Sequence, residues 1–128
     1  IRVDSIIRMF SDRNAIVLYF SDHGEEVYDF RLQQGRTDLK TDVPRALRSQ
    51  HDIPFMLYVS PRYAATHPQQ VERIKRSLDR PFMTDNLPQV IFDLLGVRTK
   101  YYKPASSVIN DAYRPQKQRM LQVGRVYD

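Results

Sequence analysis

Val3, Ile6, Ile7 and Phe10 recur at i, i+3, i+4 and i+7, the spacing of a single helix face. The pattern predicts an amphipathic helix over residues 1–12, closed by the polar turn Ser11-Asp12-Arg13-Asn14. Ala15 to Phe20, "AIVLYF", is a continuous apolar run of strand length, which suits a central parallel strand covered on both faces. Residues 21–52 are polar and irregular, with Gly24, Gly35 and Pro44 and one short helix expected around Pro44 to Ser49. A stretch that long is uncommon unless it serves a function. A second buried strand is expected in "IPFMLYVS", Ile53 to Ser60. Thr66-His67-Pro68-Gln69 has capping-box spacing, with Pro68 in a first turn where its missing N–H costs nothing. Val71, Ile74 and Leu78 form the expected buried stripe of the helix that follows, and Pro81 stops it. A third helix is predicted from about Leu87 to Leu95, capped by Asp85 or Asn86, with Pro88 in its first turn and Gly96 at its end. Beyond it "YYKPASSVIND" reads as extended, and the tail to Asp128 is polar and weakly patterned.

Helix, strand, long loop, strand, helix, helix is α/β order, which implies a parallel or mixed sheet between helical layers. Ligands of such sheets bind at the carboxyl ends of strands, so Ser21 to Glu26 falls where a site is expected. The 128 residues make one domain or a piece of one, and 41% hydrophobic residues are enough for a core. The chain starts at Ile1, inside a helical pattern and without an initiator Met, so it reads as a piece of a longer protein. No stretch approaches the roughly 20 apolar residues needed to cross a bilayer. The absence of cysteine excludes disulfides, thiolate metal sites and Cys nucleophiles. A net charge of +5 invites a nucleic-acid reading, but Arg2, Arg8, Arg13, Arg31, Arg45, Arg73, Lys75, Arg80, Lys117 and Arg119 are scattered. They form no dense block and no binding motif, so nucleic acid is not expected as a partner.

The chemistry concentrates in Asp22, His23, Gly24, Glu25 and Glu26, just past the first apolar run. A carboxylate oxygen and a neutral imidazole nitrogen are both good ligands for a divalent metal, zinc above all. Gly24 lets the backbone turn tightly after the pair, and Glu25 or Glu26 can orient the imidazole from behind. A solvated turn of charged residues is the bland alternative. A catalytic zinc takes three protein ligands or more, so the pair needs further ligands from the long loop or from outside this chain. Of the other histidines, His67 lies in the capping turn and reads as a surface residue, while His51 precedes the second strand and can approach the site.

"YFSDHGEEVYD", then "DIPFMLYVSP", then "PFMTDNLPQVIFDLLGV" resembles the C-terminal part of the catalytic domain of sulfatase-type phosphoethanolamine transferases, members of the alkaline phosphatase superfamily. The resemblance runs from Asp4 to about Tyr113. It implies the C-terminal part of an alkaline-phosphatase/sulfatase-like sandwich, a central mostly parallel sheet between helices. It further implies a Gram-negative inner-membrane protein whose transmembrane helices and first part of the catalytic domain precede this chain, with the catalytic domain in the periplasm. The implied reaction moves phosphoethanolamine from phosphatidylethanolamine to lipid A or the lipopolysaccharide core, through a zinc-activated threonine that lies upstream of Ile1. Asp22 and His23 match the family's paired zinc ligands, with Glu25 and Glu26 behind them. Many lipid A-modifying members place a histidine a dozen residues after the pair; here "LQQGRTD" has none, and Arg36 is the candidate phosphate contact, with His51 as a second. That departure leans towards a core-sugar or other acceptor. Alone, the chain is expected to be catalytically inactive.

Two other readings compete. A sulfatase or phosphodiesterase of the same superfamily would share the metal pair but hydrolyse its substrate. A non-catalytic module binding anionic lipid headgroups would use the basic surface and leave the strand-to-Asp-His arrangement without a purpose.

Overall fold

The two apolar runs become the two long strands, β1 (Ile16–Phe20) and β4 (Phe55–Val59), in a computed structural model that describes residues 2–36, 43–116, 119–120 and 126–127. Between them lie the short strands β2 (Glu26–Val27) and β3 (Gln34–Gly35) and the helix α2 (Val43–His51). Helix α1 (Val3–Phe10) precedes them, and α3 (Pro61–Thr66), α4 (Pro68–Arg76) and α5 (Leu87–Leu94) follow. Strands β5 (Arg119–Met120) and β6 (Val126–Tyr127) close the chain. The expected α/β order is present. No described helix is long and apolar enough to cross a membrane.

Strands β1 and β4 pair antiparallel, from Ile16 opposite Val59 to Phe20 opposite Phe55, and the other two described ladders are antiparallel as well. A continuous apolar run does not fix the direction of the neighbour, and among the described residues the two faces are not fully covered: no residue of β1 or β4 is buried, and Tyr19, Phe20 and Met56 are exposed. Antiparallel pairing puts the carboxyl end of β1 and the amino end of β4 at the same edge, with the Phe20 and Phe55 rings 6.3 Å apart. Ser60 locks the opposite end: its hydroxyl donates to Arg13 O at 2.6 Å and accepts from Ala15 N and Tyr63 N, both at 3.1 Å.

That last bond makes Ser60 the N-cap of α3, a helix absent from the sequence reading although Ser60-Pro61 carries its start signal. Thr66 therefore does not open the next helix. It sits in the last turn of α3, its hydroxyl bonded to Arg62 O and Tyr63 O, and His67 precedes α4 without a side-chain cap bond. His67 is exposed, as expected, and its ring stacks on Tyr63 at 4.3 Å. Leu78 also departs from its expected place: α4 ends at Arg76, two residues earlier, and Leu78 is 78% exposed. Helix α5 ends as expected. Gly96 takes φ +66°, and the bonds Gly96 N–H to Asp93 O and Val97 N–H to Phe92 O complete a Schellman motif.

The segment after Gly96 is turns and a short 3-10 helix at Pro104–Ser106, not an extended strand. A buried carboxylate explains why. Asp93 Oδ2, on α5, accepts from Ser107 Oγ at 2.9 Å and Asn110 Nδ2 at 2.8 Å. Arg98 comes within 3.5 Å of Asp93 Oδ1 and lies 4.4 Å over the Tyr102 ring. Burial, reinforced by Asp93, pushes the Tyr102 hydroxyl pKa up. These bonds coil the segment onto α5, where Val108 and Ile109 join Val90 in the core, packed by Ile74, Phe82, Leu94 and Tyr113.

Candidate metal centre

The strand β1 ends at Phe20, and the turn that follows is set by its own backbone. Ser21 Oγ donates to His23 O at 2.7 Å. His23 Nδ1 lies 2.8 Å from Gly24 O, and since a carbonyl oxygen only accepts, Nδ1 carries the ring proton. In that tautomer the ring's lone pair is on Nε2. Asp22 Oδ2 faces that nitrogen at 3.5 Å. Two ligands on a tetrahedral zinc, each about 2.0–2.2 Å from the metal, lie about 3.3–3.5 Å apart, so this separation fits a shared ion. The Asp22 side chain is 84% exposed and that of His23 36%, which leaves the pair open to further ligands. Among the described residues no group of three or more His, Asp or Glu side chains gathers as a metal cage.

The two glutamates part company. Glu25 Oε2 lies 3.8 Å from His23 Nδ1 and 3.8 Å from Arg36 Nε, beyond hydrogen-bond distance of both, so it attracts the guanidinium by charge while facing the N–H side of the ring. Glu26 is turned inward and fully buried. Its carboxylate is held by Arg31, with Nε at 2.5 Å and Nη2 at 2.9 Å, and by Gln50 Nε2 at 3.0 Å. The Arg31 hydrogen bond holds the Glu26 carboxyl below the usual carboxylate pKa, against the opposing pull of burial. Glu26 thus stands behind the turn but reaches α2 and the β2–β3 hairpin instead of the imidazole.

Asp22, His23, Arg36 and His51 all line one cavity of about 480 Å³, so the candidate residues scattered through the loop converge. Phe55, Leu57, Ile74, Phe82, Val108 and Ile109 supply its apolar wall. His51 Nδ1 is 3.0 Å from Leu47 O, within its own helix. Arg80 also lines the cavity but donates to Val108 O at 2.9 Å and Asn110 O at 2.7 Å, which makes it a brace for the wall. The roles of Arg31 and Gln50 were not legible in the sequence. Arg31 is five residues past its partner, a separation with no meaning outside a known hairpin, and Gln50 is far along the chain on another element.

The sulfatase family model matches residues 2–97, and the chain belongs to that family. Among its relatives is the phosphoethanolamine transferase EptC of Escherichia coli strain K12, 36% identical over 116 residues, covering 88% of this chain and 19% of that protein. The phosphoethanolamine transferase CptA of Salmonella typhimurium strain LT2 is 35% identical over 106 residues, covering 81% and 17%. The crystal structure of the C-terminal periplasmic domain of EptC from Escherichia coli superposes with a TM-score of 0.76 at 34% identity, over 91% of this chain and 32% of that one. A zinc complex of the same domain matches with the same TM-score and identity over 89% and 31%. The chain thus spans about a fifth of the length of the curated relatives it matches.

Proposed function

We propose that this chain carries the Asp-His half of the metal site of a zinc-dependent phosphoethanolamine transferase. The observation that carries the reading is the pairing of Asp22 Oδ2 and His23 Nε2 at 3.5 Å, with the imidazole proton committed to Gly24 O. Asp22 and His23 would hold the zinc. When bound, zinc favours the ionised form of a nucleophilic hydroxyl and offsets charge on transferring phosphoryl oxygens. Glu25 keeps negative charge beside His23 and holds Arg36 near the pair. Arg36, half exposed on the same cavity, presents a guanidinium fork to a substrate phosphate. The threonine that carries the phosphoryl group and the remaining zinc ligands lie in the part of the parent protein that precedes this chain, so the chain alone is inactive. The donor is phosphatidylethanolamine and the acceptor a lipopolysaccharide group, with the parent anchored in a Gram-negative inner membrane and this domain in the periplasm. Relatives named as phosphoethanolamine transferases, and a neighbour solved as a periplasmic domain with zinc, support the reading over hydrolysis by a sulfatase or phosphodiesterase.

The test uses the intact parent protein. Zinc content and transfer from phosphatidylethanolamine are measured for wild type and His23→Ala. Both should fall together, transfer by orders of magnitude, while the melting temperature changes little because His23 lies beyond the strand end. Full transfer in metal-analysed His23→Ala sinks the proposal.

A further inference from the structure

We infer that Glu26 is a positioning residue for the Asp22–His23 pair, acting as a clamp that joins the turn to α2 and to the β2–β3 hairpin. The inference rests on the metal reading above and concerns how this chain's own residues hold the pair in place.

A turn that presents two ligands to one ion must be held to a fraction of an ångström, yet Asp22 and His23 lie on irregular backbone beyond the last rung of β1. Two contacts supply the rigidity. The first is steric. Gly24 sits so close to the end of α2 that a Cβ there would lie 2.5 Å from Ser49 O, 2.8 Å from Gln50 C and 2.9 Å from Asp52 O. The second is the buried carboxylate of Glu26, two residues on. It accepts from Gln50 on that same helix end and, through two bonds, from Arg31 in the hairpin connection. Glu26 also occupies a ladder rung of its own, opposite Gly35, directly before Arg36. One side chain therefore ties together the metal turn, the helix against which the turn is jammed, and the strand that delivers the cavity arginine. A buried carboxylate with three charge-assisted or polar bonds is costly to desolvate, so it is a specific fastener rather than generic filling. Gln50 Oε1 is buried with no hydrogen-bond partner, so the amide can turn over and offer an acceptor when its partner becomes a donor.

Zinc affinity of the intact parent protein, measured by competition with a chromophoric chelator, reads this clamp without depending on turnover. Outer partners of metal ligands typically account for about 10–100-fold in affinity, and Glu26→Ala should lose an amount in that range at a temperature where the protein is folded. Glu26→Gln sets an amide N–H against an Arg31 donor whichever way it turns, since Arg31 Nε and Nη2 each take one carboxylate oxygen, so it should also lose zinc affinity. Should Glu26→Ala fail to fold, Gln50→Ala removes the helix arm alone and should weaken zinc measurably. His23→Ala is the reference: if it binds zinc as wild type does, the metal reading itself fails. If His23→Ala loses zinc while folded Glu26→Ala and Gln50→Ala keep wild-type affinity, the clamp is overturned and the metal reading stands.

Discussion

Gly24→Ala places a methyl group where the fold has no room, and the outcome can be worked from the distances. The nearest atoms to the new Cβ are backbone, Ser49 O at 2.5 Å, Gln50 C at 2.8 Å and Asp52 O at 2.9 Å, so no flexible side-chain end can swing away. Ordinary contact begins at 3.4 Å, and the turn must therefore part from the end of α2 by about 0.9 Å. Overpacking of this kind costs about 1–3 kcal/mol. The same shift carries the neighbouring His23 away from its place, and a displacement near 1 Å at a reacting centre costs about 100-fold in rate. Gly24 is not among the glycines with positive φ, so the added Cβ and not backbone strain is responsible. Gly96→Ala makes the matching control: it has φ +66° and nothing within 4 Å of a new Cβ, so it should cost about 1 kcal/mol through strain alone and leave the site untouched. In the intact parent, Gly24→Ala should lower both the unfolding midpoint and transfer activity, whereas Gly96→Ala should lower only the midpoint. Wild-type transfer by Gly24→Ala, or an equal loss of activity in both variants, would refute the reasoning.

Three further outcomes follow from the geometry. Arg36→Lys keeps the charge but loses the fork that pairs two phosphoryl oxygens, so transfer should be impaired with the melting temperature nearly unchanged; steady-state kinetics identical to wild type would return Arg36 to the ordinary surface. Asp93→Ala removes the buried acceptor of Ser107 and Asn110 and should destabilise by about 3 kcal/mol in chemical denaturation, since breaking a buried, charged network leaves its partners stranded. Glu26 has a folded pKa below its ordinary 4.5, so its stabilising contribution is present above that value and is lost as pH falls through the lower, folded one. The stability gap between wild type and Glu26→Gln should accordingly narrow in acid, and a gap that is constant with pH would show that the Glu26 charge does not matter to folding.

The parts of the fold that follow from local chemistry were readable in the sequence: both long strands, the end of α5 at Gly96 and the helix around Pro44. Ser60-Pro61 and Thr66-His67-Pro68 show where such reading stops. Both are helix-start signals and helices do begin at Pro61 and Pro68, but only the bonds show that Ser60 caps the first while Thr66 belongs to its last turn and does not cap the second. Likewise Asp93 sits at a helical position that reads as polar surface until Ser107, Asn110 and Arg98 are seen to gather on it. At the site, the proposed pair Asp22–His23 was legible because its two members are adjacent in the chain. Glu26 was not separable from Glu25 in that way, since only the partners Arg31 and Gln50, distant in the chain, show which of the two adjacent glutamates turns inward. Cooperation between distant residues, such as Gln50 with Glu26, has no periodicity to betray it.

The rung that joins Phe20 to Phe55 has a consequence for loop length. It brings together the two ends of the excursion from Ser21 to Pro54, so the sheet sees that excursion as a loop already closed. Lengthening a closed loop is cheap, about 0.6 kcal/mol for each doubling, because closure entropy grows only with the logarithm of length. A change of length within that excursion should therefore leave the β1–β4 register intact. The interval can thus change length while the Asp22–His23 turn, fixed at the strand end, stays where it is.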